Sequence, residues 1–267
     1  MFKNKLNLRK VAAIAACLAV SIIFFSCDKE KDDDNNQDGV VKLVSTISWD
    51  YGGYVWSEKY EYDEQSRITK ITTYDDGDVS RIFTLAYNNV GDLISKKIQQ
   101  SGYPDWIETY SKSGNKITII DEGEYNYTID LNAQGLPIKA TTENNSNLHM
   151  ITLTWQNGNI TKVEQVEEGE GYTFSHVNNF TYDDKKGVFS NCNTPKWYFV
   201  HTWGLELFGT DNNHTKISGI EGGMGNVTYA YTYDNDGYPT KAKVVESYED
   251  EGNDEYEIMF TYITKQE

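Results

Sequence analysis

Cysteine and histidine are scarce in this 267-residue chain, with three Cys and four His, and basic residues (24 Lys and Arg) are outnumbered by 41 acidic ones. Each shortage excludes something. Cys17 lies in the N-terminal leader described below and Cys27, directly after it, is expected to carry the lipid, which leaves only Cys192 in the body of the chain, so no disulfide within it can form. No spacing assigns Cys192 a histidine partner, and it reads as a small buried apolar residue rather than a nucleophile. The histidines, His149, His176, His201 and His214, lack metal-ligand spacing, and the chain has no nucleophile elbow, P-loop or dinucleotide glycine fingerprint. No catalytic residue, metal or cofactor is therefore expected. Two acidic turns, Asp75-Asp76-Gly77-Asp78 and Asp234-Asn235-Asp236-Gly237, resemble fragments of calcium loops but lack the full ligand spacing, and turn chemistry accounts for both. The acidic excess repels phosphate backbones and argues against a nucleic-acid partner.

The one long apolar run is at the N-terminus. Lys3, Lys5, Arg9 and Lys10 precede Val11 to Phe25, too short a stretch for a spanning helix, and Ser26-Cys27 follow. This resembles a bacterial lipobox, from which residues 1–26 would be cleaved and Cys27 acylated; bulky Phe24 and Phe25 depart from the usual pattern. The alternative is an ordinary signal peptide with a chance cysteine. Removing the leader's four basic residues takes the net charge from −17 to −21. Residues 27–39 are charged and polar without an apolar side chain, a flexible tether. Lysine and acidic residues directly after the cysteine resemble the export signal of Bacteroidetes surface lipoproteins. The expectation is an outer-membrane lipoprotein, surface-exposed and attached to the membrane through its N-terminal lipid.

From Val40 to Glu267 the pattern is that of one β domain. Runs rich in Tyr, Thr, Ile and Val alternate with Gly, Asp or Asn punctuation about every ten to fifteen residues, as hairpin-connected antiparallel strands require. One pattern recurs: Tyr60-Glu61-Tyr62-Asp63-Glu64-Gln65-Ser66, Leu85-Ala86-Tyr87-Asn88-Asn89-Val90-Gly91 and Tyr231-Thr232-Tyr233-Asp234-Asn235-Asp236-Gly237, with looser copies from Tyr127, Leu153 and Phe180. Its anchor residues (Tyr62, Tyr87, Tyr110, Ile129, Trp155, Tyr182, Phe208 and Tyr233) lie mostly about 25 residues apart, so each repeat is a hairpin. Asp or Asn opens a type I turn and glycine supplies the left-handed residue; Asn157-Gly158 is a tighter version, and Ser66 in the glycine position must change the turn or carry strain.

The repeat is similar to the tyrosine-aspartate repeats of Rhs-type shell proteins. In its order along the chain from Val40 it more closely resembles an uncharacterised family of Bacteroidetes lipoproteins, a domain of unknown function with a porin-like fold. That resemblance implies a barrel-like sheet and no activity. Thr, Lys and Glu on both faces of many strands, as in Lys59-Tyr60-Glu61-Tyr62, argue against a lipid-facing band, so the sheet is expected to be porin-like but soluble. The fold expected is an all-β antiparallel meander of roughly fourteen to eighteen strands, strongly curved or partly closed into a barrel.

One segment breaks the β pattern. Thr194 as N-cap, Pro195 at the first helical position, and Trp197, His201, Leu205 and Phe208 on one face predict a short amphipathic helix within 195–208, at the mouth or interior of the sheet. The twenty tyrosines and six tryptophans are the remaining signal. Aromatic faces stack on sugars, and Trp49, Tyr51, Tyr54 and Trp56 near the first hairpin, with Trp197, His201 and Trp203 on the helix, are the candidate residues for a glycan or peptide ligand. Strand residues paired across a sheet account for the same aromatics equally simply. A structural or envelope-assembly protein with no small-molecule site is the alternative function.

Overall fold

A computed structural model describes residues 40–121, 126–144, 147–203, 209–219, 224–248 and 252–266. The leader, the tether with Cys27, and Leu205 and Phe208 of the expected helix lie outside the described residues. The strands are β1 (Val40–Asp50), β2 (Val55–Tyr62), β3 (Ile68–Asp75), β4 (Asp78–Tyr87), β5 (Leu93–Gln100), β6 (Trp106–Ser113), β7 (Lys116–Asp121) and β8 (Asn126–Leu131). They continue as β9 (Pro137–Asn144), β10 (Asn147–Gln156), β11 (Asn159–Gly169), β12 (Tyr172–Tyr182), β13 (His214–Ser218), β14 (Met224–Tyr233), β15 (Pro239–Tyr248) and β16 (Gly252–Gln266). Each pairs with its sequence neighbours, and β1 pairs antiparallel with β16, so the sixteen strands form a closed barrel. Closure leaves no edge for another chain to extend. The sheet expected to be strongly curved or partly closed is thus closed completely.

Alternation sorts the two faces. On β16, Tyr256, Ile258 and Phe260 are buried in the interior while Glu255 and Glu257 face outward, where Glu257 pairs with Lys241 (2.5 Å) and Glu255 with Lys243 (2.7 Å) on β15. On β2, Glu58, Tyr60 and Tyr62 point in, and Glu61 outside pairs with Lys70 of β3 at 2.9 Å. The inward rows make one core with the segment between β12 and β13.

The recurring sequence pattern builds one end of the barrel. Asp63, Asn88, Asn132 and Asp234 each accept two backbone N–H groups through the side chain, from residues two and four further on. The fourth turn residue donates back to the first carbonyl: Ser66 to Asp63, Gly91 to Asn88, Gly135 to Asn132 and Gly237 to Asp234. All four have positive φ, and Ser66, at 61°, adopts the same conformation as the glycines. The turn is unchanged; the serine is strained.

The anchor residue before each turn has a second task. Tyr62 donates to the Val44 carbonyl, Tyr87 to Ile68, Tyr182 to Ile160 and Tyr262 to Pro239, while the Trp155 indole donates to the Pro137 carbonyl. Each ties the end of one strand to the start of the strand before it. Tyr110 donates to the Glu108 carboxylate instead, Ile129 is core, and Tyr262 makes the tie although the repeat count ended at Tyr233.

The segment between β12 and β13 enters without breaking this scheme. Asp183 bonds Asn213 through backbone and side chain much as Asp234 bonds Tyr238, so the insertion is clamped as an enlarged turn. It then fills this end: Asn191 bonds the Lys42 carbonyl, and Asn193 bonds the carbonyls of Gln65 and Ser66. Its helix, α1 (Lys196–Trp203), is the only one among the described residues. Two expectations are corrected here. The Thr194 hydroxyl accepts the Ile68 N–H of the barrel wall at 2.8 Å rather than capping the helix. Trp197, Tyr198, Phe199 and Val200 are all buried, so α1 is enclosed on successive faces rather than amphipathic, as a helix inside a barrel must be.

Candidate functional site

The first hairpin divides its aromatics by depth. Trp49 and Trp56 face each other in register across β1 and β2, ring centroids 4.5 Å apart, and Trp49 is buried in the core. Tyr51 and Tyr54, at the turn, are exposed, with centroids 6.2 Å apart; Tyr51 also packs on Tyr256 at 4.8 Å. Beside them lies a cavity of about 360 Å³, within the size range of small-molecule sites. It opens at the end of the barrel opposite the repeated turns, where the tip of the helical insertion reaches it.

Strand register explains its lining. Three inward rows cross the wall of β2, β3 and β4: Trp56 beside Asp75, then Glu58–Thr73–Arg81, then Tyr60–Ile71–Phe83. Apart from Tyr60 these side chains all line the cavity, and Tyr54, Ser80 and Thr202 of α1 complete it. The Glu58 carboxylate is buried and accepts the Tyr60 hydroxyl. A hydrogen bond with Asp75 pushes the Tyr54 phenol above its ordinary pKa. Arg81 donates its Nε to Gln100 Oε1 at 3.0 Å.

The helix candidates go elsewhere. Trp197 is buried edge-on to Tyr110, centroids 5.2 Å apart. His201 Nε2 lies 3.0 Å from Glu108 Oε2, the same oxygen that takes Lys96 Nζ at 2.9 Å and the Tyr110 hydroxyl at 2.8 Å. Burial alone would raise the Glu108 carboxyl, but the His201 hydrogen bond and the Lys96 charge outweigh it and hold the group down at about 2. This cluster is a joint between α1 and β6. Trp203 ends α1, and its side chain lies outside the described residues. Of the seven residues singled out as ligand-binding, Tyr54 and Trp56 line the cavity and Tyr51 neighbours it.

A second cavity of about 350 Å³ lies among the hairpin turns at the plugged end, against Pro195 and Trp197. Trp197 is its one aromatic side chain, and it borders the Lys112–Asp92 ion pair. Cys192 is partly buried against the core, and desolvation pushes its thiol up to about 11. Among the described residues, no group of three or more His, Cys, Asp and Glu side chains is placed to hold a metal ion. Sequence reasoning missed Glu58, Thr73, Asp75, Arg81 and Phe83 as lining residues; the available signal was the period-two alternation that puts Glu58 on the same face as Trp56.

No protein-family model matches the chain, and no curated protein matches it. Among solved structures, it is similar to a porin-like protein from Bacteroides uniformis at 15% identity and a TM-score of 0.43, covering 82% of this chain and 98% of the other. A TM-score at that level carries no argument, so the barrel rests on its own strand pairing.

Proposed function

We propose that this chain is a non-catalytic cell-envelope lipoprotein whose barrel binds a ligand, glycan or peptide, in the aromatic-walled cavity at its far end. The observation that carries the reading is that cavity: Tyr54, Trp56 and Phe83 supply flat apolar faces, and Glu58, Thr73 and Arg81 supply fixed polar groups among them. This is the composition of a small-molecule site. The Lys96–Glu108–His201 cluster is the nearest thing to a catalytic arrangement, but a carboxylate held at about 2 is a poor base near neutrality, and all three side chains are almost wholly buried.

The lipid attaches at Cys27 in this reading, and the domain stands on the surface of the outer membrane as a member of the Bacteroidetes lipoprotein family whose repeats resemble those of Rhs shells. The cross-strand ion pairs on the outer face support a barrel standing in water, since hydrocarbon around them would cost up to about 2–4 kcal/mol per lysine. The acidic charge disfavours nucleic acid. A second reading, an envelope-assembly protein with no small-molecule site, is favoured by one observation: the insertion fills the other end of the barrel.

A screen of glycans and short peptides separates the two. Selective binding is expected, lost in Trp56→Ala and weakened in Tyr54→Ala, which alters an exposed side chain and leaves the melting temperature unchanged. Binding retained by both variants moves the site elsewhere. Absence of binding by a folded protein favours the assembly reading.

A further inference from the structure

The aromatic ties at the plugged end do not run all the way round, and the second cavity lies where they stop. Eight strands, the even-numbered ones, finish at this end. Tyr62, Tyr87, Trp155, Tyr182 and Tyr262 make the ties on five of them, and on β14 Tyr233 donates to Asp183 instead. The remaining two, β6 and β8, carry Lys112 and Leu131. Leu131 stands directly before Asn132, as Tyr62 stands before Asp63 and Tyr87 before Asn88, and it pairs with Pro137 across the same kind of bulge. Both Lys112 and Leu131 line the cavity of about 350 Å³.

Register identifies the acceptor left without an aromatic donor. A tie donor stands one residue beyond the position opposite its acceptor. Ile71 pairs with Phe83, so Ala86 is opposite Ile68, and Tyr87, the next residue, makes the tie. In the β5–β6 ladder Lys96 pairs with Glu108, so Ser111 is opposite Leu93 and Lys112 comes next. Lys112 is thus the tie position for the Leu93 carbonyl, but its ammonium goes to Asp92 Oδ1 at 3.0 Å. Leu93 lines the same cavity, and among the described residues no aromatic side chain donates to its carbonyl.

We infer that this cavity takes an aromatic ring bearing a hydrogen-bond donor, a phenol above all, which makes with the Leu93 carbonyl the tie that Lys112 does not. The inference stands apart from the far cavity. The rest of the lining suits such a ring. Ile117, Leu131 and Pro195 supply apolar contact, and Trp197 supplies an aromatic partner. Cations already cover two of the chain's own tie rings, the Arg67 guanidinium 4.2 Å from the Tyr87 centroid and the Lys196 ammonium 5.7 Å from that of Trp155. Lys112 is placed to do the same for a ring from outside. An aliphatic ligand would cover the apolar lining but offer the carbonyl no donor, and burying an acceptor without one is costly. The ring comes either from a small free phenol or from a tyrosyl side chain of a peptide. The chain's own residues 27–39 contain no aromatic side chain to supply it.

Ligand-observed NMR titration of the full-length protein with p-cresol, N-acetyltyrosinamide, its O-methyl ether and N-acetylphenylalaninamide tests this. The two phenols bind, and which of them is tighter identifies the source. Removing or methylating the hydroxyl weakens binding about tenfold. Leu131→Tyr and Lys112→Tyr each place a ring of the chain's own in the cavity, and each is expected to weaken phenol binding at least tenfold without lowering the melting temperature. The Lys112 side chain is 47% exposed, so Lys112→Tyr remains a fair test where Leu131→Tyr overpacks. Trp56→Ala, in the other cavity, should leave phenol binding unchanged. Failure of both phenols to bind overturns the inference, as does a phenylalanine or methyl-ether compound that binds as tightly as its phenol. Binding that survives in Lys112→Tyr but is lost in Trp56→Ala places the phenol in the far cavity, which overturns this inference and leaves the proposed function standing.

Discussion

The two ends of this barrel are built by different rules. At the plugged end one turn is used four times with the same hydrogen bonds, and aromatic side chains tie strands to the ones before them. Among the described connections of the far end no turn recurs in this way. Tyr51 closes a backbone bond to Tyr54, Asp76 and Gly77 make a tight pair with positive φ, and Gln100 to Trp106 is a longer excursion. Exposed aromatics gather there as well: Tyr51, Tyr54, Tyr103, Trp106, Tyr172 and Phe174 all sit at its turns or the strand ends beside them. Repetition marks the end that the insertion fills, and irregular, aromatic-rich connections mark the end where the proposed ligand cavity lies.

The Glu108 cluster is where the two ends meet, because α1 belongs to the plug while its Thr202 lines the far cavity. Breaking it should therefore give the largest effect and blur the distinction. Glu108→Gln strands the Lys96 ammonium, 6% exposed, without its counter-charge, and is expected to cost about 3–5 kcal/mol in urea unfolding at pH 7. The wild-type protein should show the same dependence through pH. Its folded carboxyl titrates at about 2, below the ordinary 4.5, so its stabilisation is complete above pH 4.5 and is lost as pH falls through 2. That component, on the order of 3 kcal/mol, should be missing from the acid limb of Glu108→Gln. Parallel acid limbs in the two proteins would rule out the ion-paired joint.

Tyr262→Phe probes the plugged end alone. It removes the hydroxyl that satisfies the Pro239 carbonyl at 2.9 Å and leaves the ring in place, with an expected cost of about 1 kcal/mol and no change in ligand affinity. A shift in affinity of the size of Trp56→Ala would mean that the two ends are energetically one.

What the sequence revealed follows the same division. Period-two alternation and Asp/Asn-to-Gly turns are local signals, so the hairpins, their repeat length and the single helical interruption could be read in advance. Closure could not: the pairing of Val40–Asp50 with residues over 200 positions away depends on strand number and tilt, which no local pattern encodes. The ties were half legible. The repeated Tyr62, Tyr87 and Tyr182 were visible as anchors, but only the fold supplies the carbonyl each one reaches. Thr194 was misassigned because the Ile68 N–H it accepts comes from 126 residues earlier and competes with the helix end. In the candidate site, Trp56 and Tyr54 were conspicuous by type, whereas Glu58 and Arg81 looked like any charges on a strand until register placed them in one inward row.

The smallest effect is the sharpest test of the repeat. Ser66 occupies the position where Gly91, Gly135 and Gly237 stand in the equivalent turns, with φ of 61°. A left-handed conformation costs a non-glycine residue about 1–2 kcal/mol, while glycine loses roughly 0.5–1 kcal/mol more in backbone entropy on folding. Strain outweighs entropy here, so Ser66→Gly should stabilise the protein by a few tenths to about 1 kcal/mol. The serine hydroxyl's one hydrogen bond among the described residues, a long 3.4 Å approach from Lys265 Nζ, offsets little, because Lys265 also donates to the Asp63 carbonyl. The reverse exchange, Gly237→Ser, has open space for its side chain and should lose a similar amount through backbone strain alone. Opposite shifts in thermal unfolding would show the four turns to be one device. A destabilised Ser66→Gly would mean that the serine is held by something the turn geometry does not contain.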